Sequence, residues 1–141
     1  MLKYGQLAAA ALVLAVGAAC SNPVDLNNPN AVAAELRGTW SRDFGAPGSS
    51  TVLVISVQDL TLAGTGTFAN EAGPSGTLTV SGQVTTQQMG RPLVQIDFAQ
   101  SDGFTGHFSG VLTDTNSLDG IIWGSSAGII ADPVTATFRR Q

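Results

Sequence analysis

Residues 60–85, LTLAGTGTFANEAGPSGTLTVSGQVT, contain the pattern that decides the fold. In Leu60–Phe68 and again in Thr77–Thr85, apolar residues and glycines alternate with threonine, serine and other small or polar residues. A period of two residues predicts β-strands with one buried face and one exposed face. The connector between them contains Glu71–Pro74, whose glycine and proline are typical of a tight turn. This region therefore predicts a pair of antiparallel strands.

Further predicted strands recur along the rest of the chain, and one of them, Ser50–Gln58, is apolar on both faces. They are Arg37–Arg42, Ser50–Gln58, Leu93–Ala99, Phe104–Thr113, Leu118–Trp123 and Pro133–Arg140. No helical stretch separates them, which excludes parallel crossovers. The predicted fold class is all-β, an eight-stranded antiparallel up-and-down barrel, because closure hides the strand edges. A two-sheet β-sandwich is the alternative.

The predicted barrel interior is the face that carries the apolar residues and glycines. Its members are Leu62, Gly64, Gly66, Phe68, Leu78, Val80, Val94, Ile96, Phe98, Phe104, Phe108 and Phe138. Glycines on this face are expected to permit tight coiling and to leave room inside the barrel.

The first twenty residues predict export and lipidation. A short positive start precedes an apolar stretch at residues 7–19, which is too short to span a bilayer and suits the hydrophobic region of an export signal. The stretch ends in Gly17-Ala18-Ala19-Cys20, which resembles the lipobox of bacterial lipoproteins, whose cysteine is acylated and becomes the mature N-terminus. Cys20 is the only cysteine, and a single thiol in an exported protein favours lipid attachment. An ordinary secretory signal is the alternative.

The predicted organisation is a signal peptide at residues 1–19, a lipidated flexible tether at 20–28 and a β-barrel domain at 29–141. Asn28 as N-cap and Pro29 in the first turn predict a short helix that ends before Gly38. The lipid is expected to hold the protein at the bacterial cell envelope. Ser21 follows the cysteine where enteric sorting rules would place aspartate for the inner membrane, so the outer membrane is favoured.

The charge of the chain excludes several partners. Removal of residues 1–19 takes away Lys3, the only lysine, and leaves five arginines against ten carboxylates, a formal charge of −5. Without a basic stripe, nucleic acid is not expected as a partner. Without a polybasic patch, membrane attachment is expected to depend on the N-terminal lipid.

Gly38-Thr39-Trp40 on the first strand resembles the Gly-x-Trp of lipocalins, and the stretch from there to TLAGTGTF is similar to the opening hairpin of avidin-type biotin binders. Both belong to the calycins, and the resemblance covers the barrel plan from Gly38 to Arg140. It implies an arginine of the last strand packed against Trp40 at the closed end of the barrel. The biotin-contacting residues of the family are not placed on this chain, so biotin binding is not carried over.

Strand parity selects between the two arginines at the end of the chain. In an eight-stranded barrel the last strand pairs antiparallel with the first. Arg140 shares the inward face with Phe138, whereas Arg139 lies on the other face. We therefore predict that Arg140 packs on Trp40 beneath the helix, and that Gly38 avoids a clash with that helix. The alternative is that Trp40 is a half-buried strand residue.

Patterns for catalysis and metal binding are incomplete. Gly124–Gly128 matches G-x-S-x-G, but no helix follows it and the only histidine, His107, lies upstream. Asp114–Gly120 resembles a calcium loop, yet Leu118 occupies a ligand position. His107 has no second histidine or thiol with which to bind a transition metal, so it is interpreted as a solvated surface residue. We predict no enzymatic activity, no metal and no cofactor.

Two functions remain open. In the first, the barrel binds a small apolar ligand; in the second, a structural or protein-binding lipoprotein has a filled barrel and uses its loops to contact an envelope protein. The segment Gly124–Asp132 is predicted to be a loop at the barrel mouth. Its Ile129 and Ile130 either complete the core or form a lid or contact patch.

Overall fold

The computed structural model describes residues 22–43 and 48–141. The predicted signal peptide, Cys20 and Ser21 lie outside the described residues. The elements are α1 (Pro29–Leu36), β1 (Gly38–Asp43), β2 (Ser50–Gln58), β3 (Thr61–Ala69), β4 (Gly76–Thr85), β5 (Leu93–Gln100), β6 (Thr105–Asp114), β7 (Ser117–Ser126) and β8 (Ile129–Arg140). The eight strands pair antiparallel in chain order, and β1 closes on β8. The predicted up-and-down barrel is confirmed, and the β-sandwich alternative is wrong.

The short helix forms where capping residues begin it. The Asn28 side chain accepts hydrogen bonds from the backbone N–H groups of Asn30 at 2.9 Å and Ala31 at 3.3 Å, and Pro29 occupies the first turn, where no intrahelical donor is needed. The helix ends at Leu36 because the next residue is extended. Its buried face, Val32, Ala33 and Leu36, covers one end of the barrel.

The segment predicted to be a flexible tether is partly ordered. The backbone N–H of Asn28 donates to the carbonyl of Asp25 at 3.0 Å, and Leu26 packs against the core. The segment that precedes α1 therefore has contacts with the barrel domain from Leu26 onward.

The segment predicted to be a loop at residues 124–132 is a β-hairpin. β7 and β8 extend to a two-residue turn at Ala127 and Gly128, whose φ angles of 50° and 81° suit a tight hairpin. Ile129 and Ile130 therefore lie in β8, and the prediction of a loop is wrong. The Gly/Ser-rich sequence and Pro133 suggested a loop. Proline is tolerated because it lies at the irregularity in the β7–β8 register between Ile122 and Gly124, where Pro133 is not among the described pairs.

Side chains of the alternating apolar face fill the centre of the barrel. Of the predicted interior set, Leu62, Phe68, Leu78, Val80, Val94, Ile96, Phe98, Phe108 and Phe138 are buried, whereas Phe104, just before β6, is partly buried. The Phe108 and Phe138 rings meet edge to face at 5.5 Å between centroids.

The glycines of the inward face have one of their two predicted roles, since they permit close coiling of the strands but leave no room inside the barrel. A β-carbon at Gly64 would lie 2.0 Å from the Val54 carbonyl oxygen, and one at Gly66 would lie 2.1 Å from that of Val52. The backbone of β2 therefore occupies the space that a side chain on β3 would need. These glycines allow close approach of strands, and they do not create open volume inside the barrel.

Candidate functional site

The end of the barrel beneath α1 is closed around Trp40. This side chain is fully buried, and its indole N–H donates to the Leu36 carbonyl at 2.9 Å. The bond satisfies one of the carbonyls that the end of a helix leaves unpaired. The guanidinium carbon of Arg140 lies 5.0 Å from the indole centroid, a cation–π distance. Trp40 thus joins the helix, the first strand and the last strand.

Arg140 makes the densest set of polar contacts at this end. Its Nε donates to the Thr115 carbonyl at 2.9 Å, and its Nη2 donates to the backbone carbonyl of Glu35 and, at 3.1 Å, to the Glu35 carboxylate. Arg139 instead donates to the Ser117 hydroxyl. The closed end is therefore held by packing and hydrogen bonds, a structural arrangement.

Gly38 is required for a reason other than the predicted clash with the helix. A β-carbon there would have the Arg140 guanidinium as its nearest neighbour at 3.8 Å, an ordinary contact. The φ angle of Gly38 is +126°, however, a conformation that residues with side chains rarely adopt. The backbone turn from α1 into β1, and not crowding, explains the glycine.

The opposite end of the barrel opens into a cavity of about 440 Å³. The strand alternation that buries the core also points the last inward side chains of several strands into this mouth. The apolar lining is Phe98, Phe104, Ile122 and Val134; the polar lining includes Arg42, Thr51, Gln100 and Asp132. An apolar wall with a few polar groups is the usual character of a small-molecule site.

Arg42 is the cation of the mouth. Its guanidinium donates a hydrogen bond to the Thr135 carbonyl at 3.3 Å. Thr135 belongs to β8 but is not among the described β1–β8 pairs. Burial lowers the pKa of Arg42 from its ordinary value, but guanidinium remains charged in proteins. A partly desolvated positive charge therefore borders the cavity. The sequence analysis did not select Arg42, although it shares the inward face of its strand with Trp40.

The predicted mouth residues Ile129 and Ile130 do not complete the core. They are 76% and 78% exposed, so the interpretation as core residues is wrong. Both belong to the tip of the β7–β8 hairpin, and neither is among the described residues that line the cavity. They form an exposed apolar pair beside the mouth.

A second concave surface, the outer groove, lies on the outside of β4–β7. It has a volume of about 360 Å³, and its outward side chains are Gln83, Gln95, Asp97, His107 and Trp123; Gly82 and Phe108 also border it. His107 is exposed as predicted, yet its Nδ1 lies 2.5 Å from a carboxylate oxygen of Asp97. The His107 ring also stacks on Trp123 with centroids 5.7 Å apart and planes at 27°.

Sequence reasoning missed this group of side chains although it contained a signal. Trp123 occupies an outward position on β7, where the alternation predicts a polar residue. The pairing of β6 with β7 places it directly opposite His107. His107 in turn pairs with Asp97 across β5 and β6. Only the strand register brings these three residues together.

The segment that resembles a calcium loop uses its acidic groups in other ways. The Asp119 carboxylate accepts hydrogen bonds from the hydroxyls of Thr113 at 2.6 Å and Thr137 at 2.5 Å, which lower the pKa of Asp119.

Among the described residues, no group of three or more His, Cys, Asp or Glu side chains is placed to hold a metal ion. Within the same part of the chain, no helix has the length and apolar character needed to cross a membrane.

Comparison of the chain with protein-family models, with curated proteins and with solved structures finds no match.

Proposed function

We propose that the protein is a lipid-anchored envelope protein that binds a small, mainly apolar ligand in the mouth of its barrel. The observation that carries the proposal is the cavity of about 440 Å³ at the open end. Small-molecule sites commonly have volumes of about 300–1,000 Å³ and a mostly apolar lining. Because the centre of the barrel is filled by its own side chains, the ligand occupies the mouth and not the full length of the barrel.

The lining suggests how such a ligand is oriented. Its apolar part contacts Phe98, Phe104 and Ile122, which removes apolar surface from water. A polar group of the ligand lies near the Gln100 amide and the positive charge of Arg42, both of which line the cavity. Specificity then depends on these polar contacts more than on the apolar wall.

The calycin resemblance supports the proposal from a different direction. The closed barrel has eight strands, Gly38–Trp40 begins the first strand, and Arg140 on the last strand packs on the tryptophan. Calycins close one end of the barrel and bind ligands from the other. Here α1 covers one end, and the cavity opens at the opposite end.

The test fills the mouth with a larger side chain. Val134 lines the cavity and is 51% exposed, so Val134→Trp is expected to block the site without disturbing the core. N-Phenyl-1-naphthylamine, a neutral apolar dye, serves as the probe, with fluorescence titration of the Cys20→Ser chain in detergent-free buffer. We expect the unblocked chain to bind the dye and Val134→Trp to reduce that binding at least about tenfold, because the wall is occluded.

The matched control is Val54→Trp, the same change at a residue that is 50% exposed on β2 and does not line the described part of the cavity. It is expected to bind the dye like the parent chain. Equal dye binding by the two tryptophan variants, or no binding by the parent, contradicts a site in the mouth.

A further inference from the structure

We propose that the outer groove is a second binding site and that it binds a pyranose ring of a neutral glycan. The proposal does not depend on a ligand in the barrel mouth. It depends on three features of the groove: a stacked pair of planar rings, an oriented imidazole, and two side-chain amides.

The ring pair provides the apolar contact. A pyranose presents a face of C–H groups, and such a face packs on the negative face of an aromatic ring. Trp123 is partly exposed and lies against the exposed His107 ring with an interplanar angle of 27°. The stacking contact holds the two rings against each other at the groove, so Trp123 is not an isolated aromatic side chain.

Asp97 orients the imidazole for hydrogen bonding. Its carboxylate lies 2.5 Å from Nδ1 of His107. In the neutral ring this contact places the proton on Nδ1 and leaves Nε2 as an acceptor. The second oxygen of Asp97 remains an acceptor as well, so both groups accept hydrogen bonds from hydroxyls of a sugar.

Gln83 and Gln95 supply donors as well as acceptors. Their side chains are hydrogen-bonded to each other across β4 and β5, with 3.3 Å between Nε2 of Gln83 and Oε1 of Gln95. Each amide keeps donor and acceptor capacity beyond this bond. A sugar hydroxyl both donates and accepts, so the mixed lining of the groove suits it.

Stability does not account for this group of side chains. The side chains of His107 and Asp97 are 48% and 62% exposed, and an exposed ion pair contributes little to folding. The neighbouring outward positions on β3 and β4 carry short side chains, among them Thr65 and Thr79. The large planar groups are therefore concentrated on the part of the outer face that forms the groove.

Charge selects a neutral ligand. Asp97 in the groove and the formal charge of −4 for the whole chain oppose phosphates, nucleotides and acidic sugars. The polar lining gives an apolar peptide side chain little to contact. A cationic peptide is the competing ligand, and the experiment includes it.

The experiment is an NMR titration of the ¹⁵N-labelled Cys20→Ser chain with chitohexaose and with cellohexaose. We expect shifts of the Trp123 indole N–H and of the side-chain amides of Gln83 and Gln95. Loss of the stacking ring in Trp123→Ala is expected to weaken binding about tenfold. Asp97→Asn is expected to weaken it several-fold, because the His107 tautomer is no longer fixed. Dye binding is measured in parallel, since Trp123 also borders the mouth cavity.

The matched control is Asp59→Asn, the same change of charge at an exposed turn between β2 and β3. It is expected to bind both sugars like the parent chain. The proposal is overturned if neither sugar shifts the groove signals, if Asp59→Asn weakens binding as much as Asp97→Asn, or if octa-arginine binds the groove and binds Trp123→Ala equally well. In the Val134→Trp variant, the dye is expected to bind poorly while the sugars still shift the groove signals. That result supports the proposal and separates the groove from the mouth.

Discussion

At the scale of single residues, the closed end depends on Trp40, which is fully buried and has both apolar and polar contacts. The indole of Trp40 packs among buried side chains, donates one hydrogen bond to Leu36 and receives Arg140 on its face. A guanidinium over an indole contributes about 0.5–2 kcal/mol, and burial of the ring contributes more. Removal of the ring also leaves the helix carbonyl and the guanidinium with one partner fewer.

Trp40→Ala is therefore expected to reduce the free energy of unfolding by about 3–5 kcal/mol. Urea denaturation followed by far-ultraviolet circular dichroism measures the loss. The chain contains a control of the same residue type, because Trp123 is only partly buried on the outer face. Trp123→Ala should cost clearly less, and equal losses from the two substitutions would show that Trp40 has no special part in closing the barrel.

At the scale of elements, strand coiling depends on glycines that face inward. A β-carbon at residue 64 would lie only 2.0 Å from the Val54 carbonyl oxygen, so β2 and β3 cannot keep their present spacing if residue 64 has a side chain. Interiors are packed too densely to absorb such an overlap without movement of backbone. These glycines are therefore part of how the sheet curves into a barrel.

Gly64→Ala is expected to destabilise the protein by about 1–3 kcal/mol through strand displacement, measured as a shift of the urea midpoint. Gly73→Ala is the control, because a β-carbon there would meet the Asn70 β-carbon at an ordinary 3.4 Å. It should change stability by less than about 0.5 kcal/mol. If the order of the two effects is reversed, the inward glycines are not close-approach positions.

Most of the fold was predictable from alternation, and the failures have local causes. The steady spacing of segments between turn residues located β2 with its bounds, and parity placed Arg140 rather than Arg139 on Trp40. Alternation does not reveal how closely neighbouring backbones approach, which is why the inward glycines were interpreted as empty space. Composition also fails at a bulge, where Pro133 is allowed and the β7–β8 hairpin was interpreted as a loop.

The candidate sites were harder to predict because they depend on register. Arg42 and Gln100 are far apart in sequence and meet only at the rim of the closed barrel. The alignment of Asp97, His107 and Trp123 likewise depends on how β5, β6 and β7 pair. A one-residue slip in any pair would separate them, and sequence alone does not fix register to that accuracy.

At the scale of the whole molecule, the two ends of the barrel have opposite roles. The N-terminal segment reaches the closed end, where Leu26 and α1 pack on the core, and the mouth lies at the other end. A lipid on Cys20 would therefore attach the protein by its closed end. The mouth would then open away from the membrane, accessible to ligands in the aqueous space.

Cys20→Ser tests this attachment. Without the acyl chains, the protein is expected to move from the membrane fraction to the soluble fraction or to remain unprocessed, because the acidic barrel has no polybasic patch to hold it on lipid. Immunoblotting of fractions after a carbonate wash gives the distribution, and Ser21→Ala, a neighbouring change that keeps the thiol, serves as the control. Since each buried methylene contributes about 0.8 kcal/mol, loss of the acyl chains removes far more membrane affinity than the exposed side chains of the barrel supply. A Cys20→Ser protein that has lost its signal peptide and still stays with washed membranes would mean that the barrel itself binds the envelope, and the orientation argued from the tether would then no longer hold.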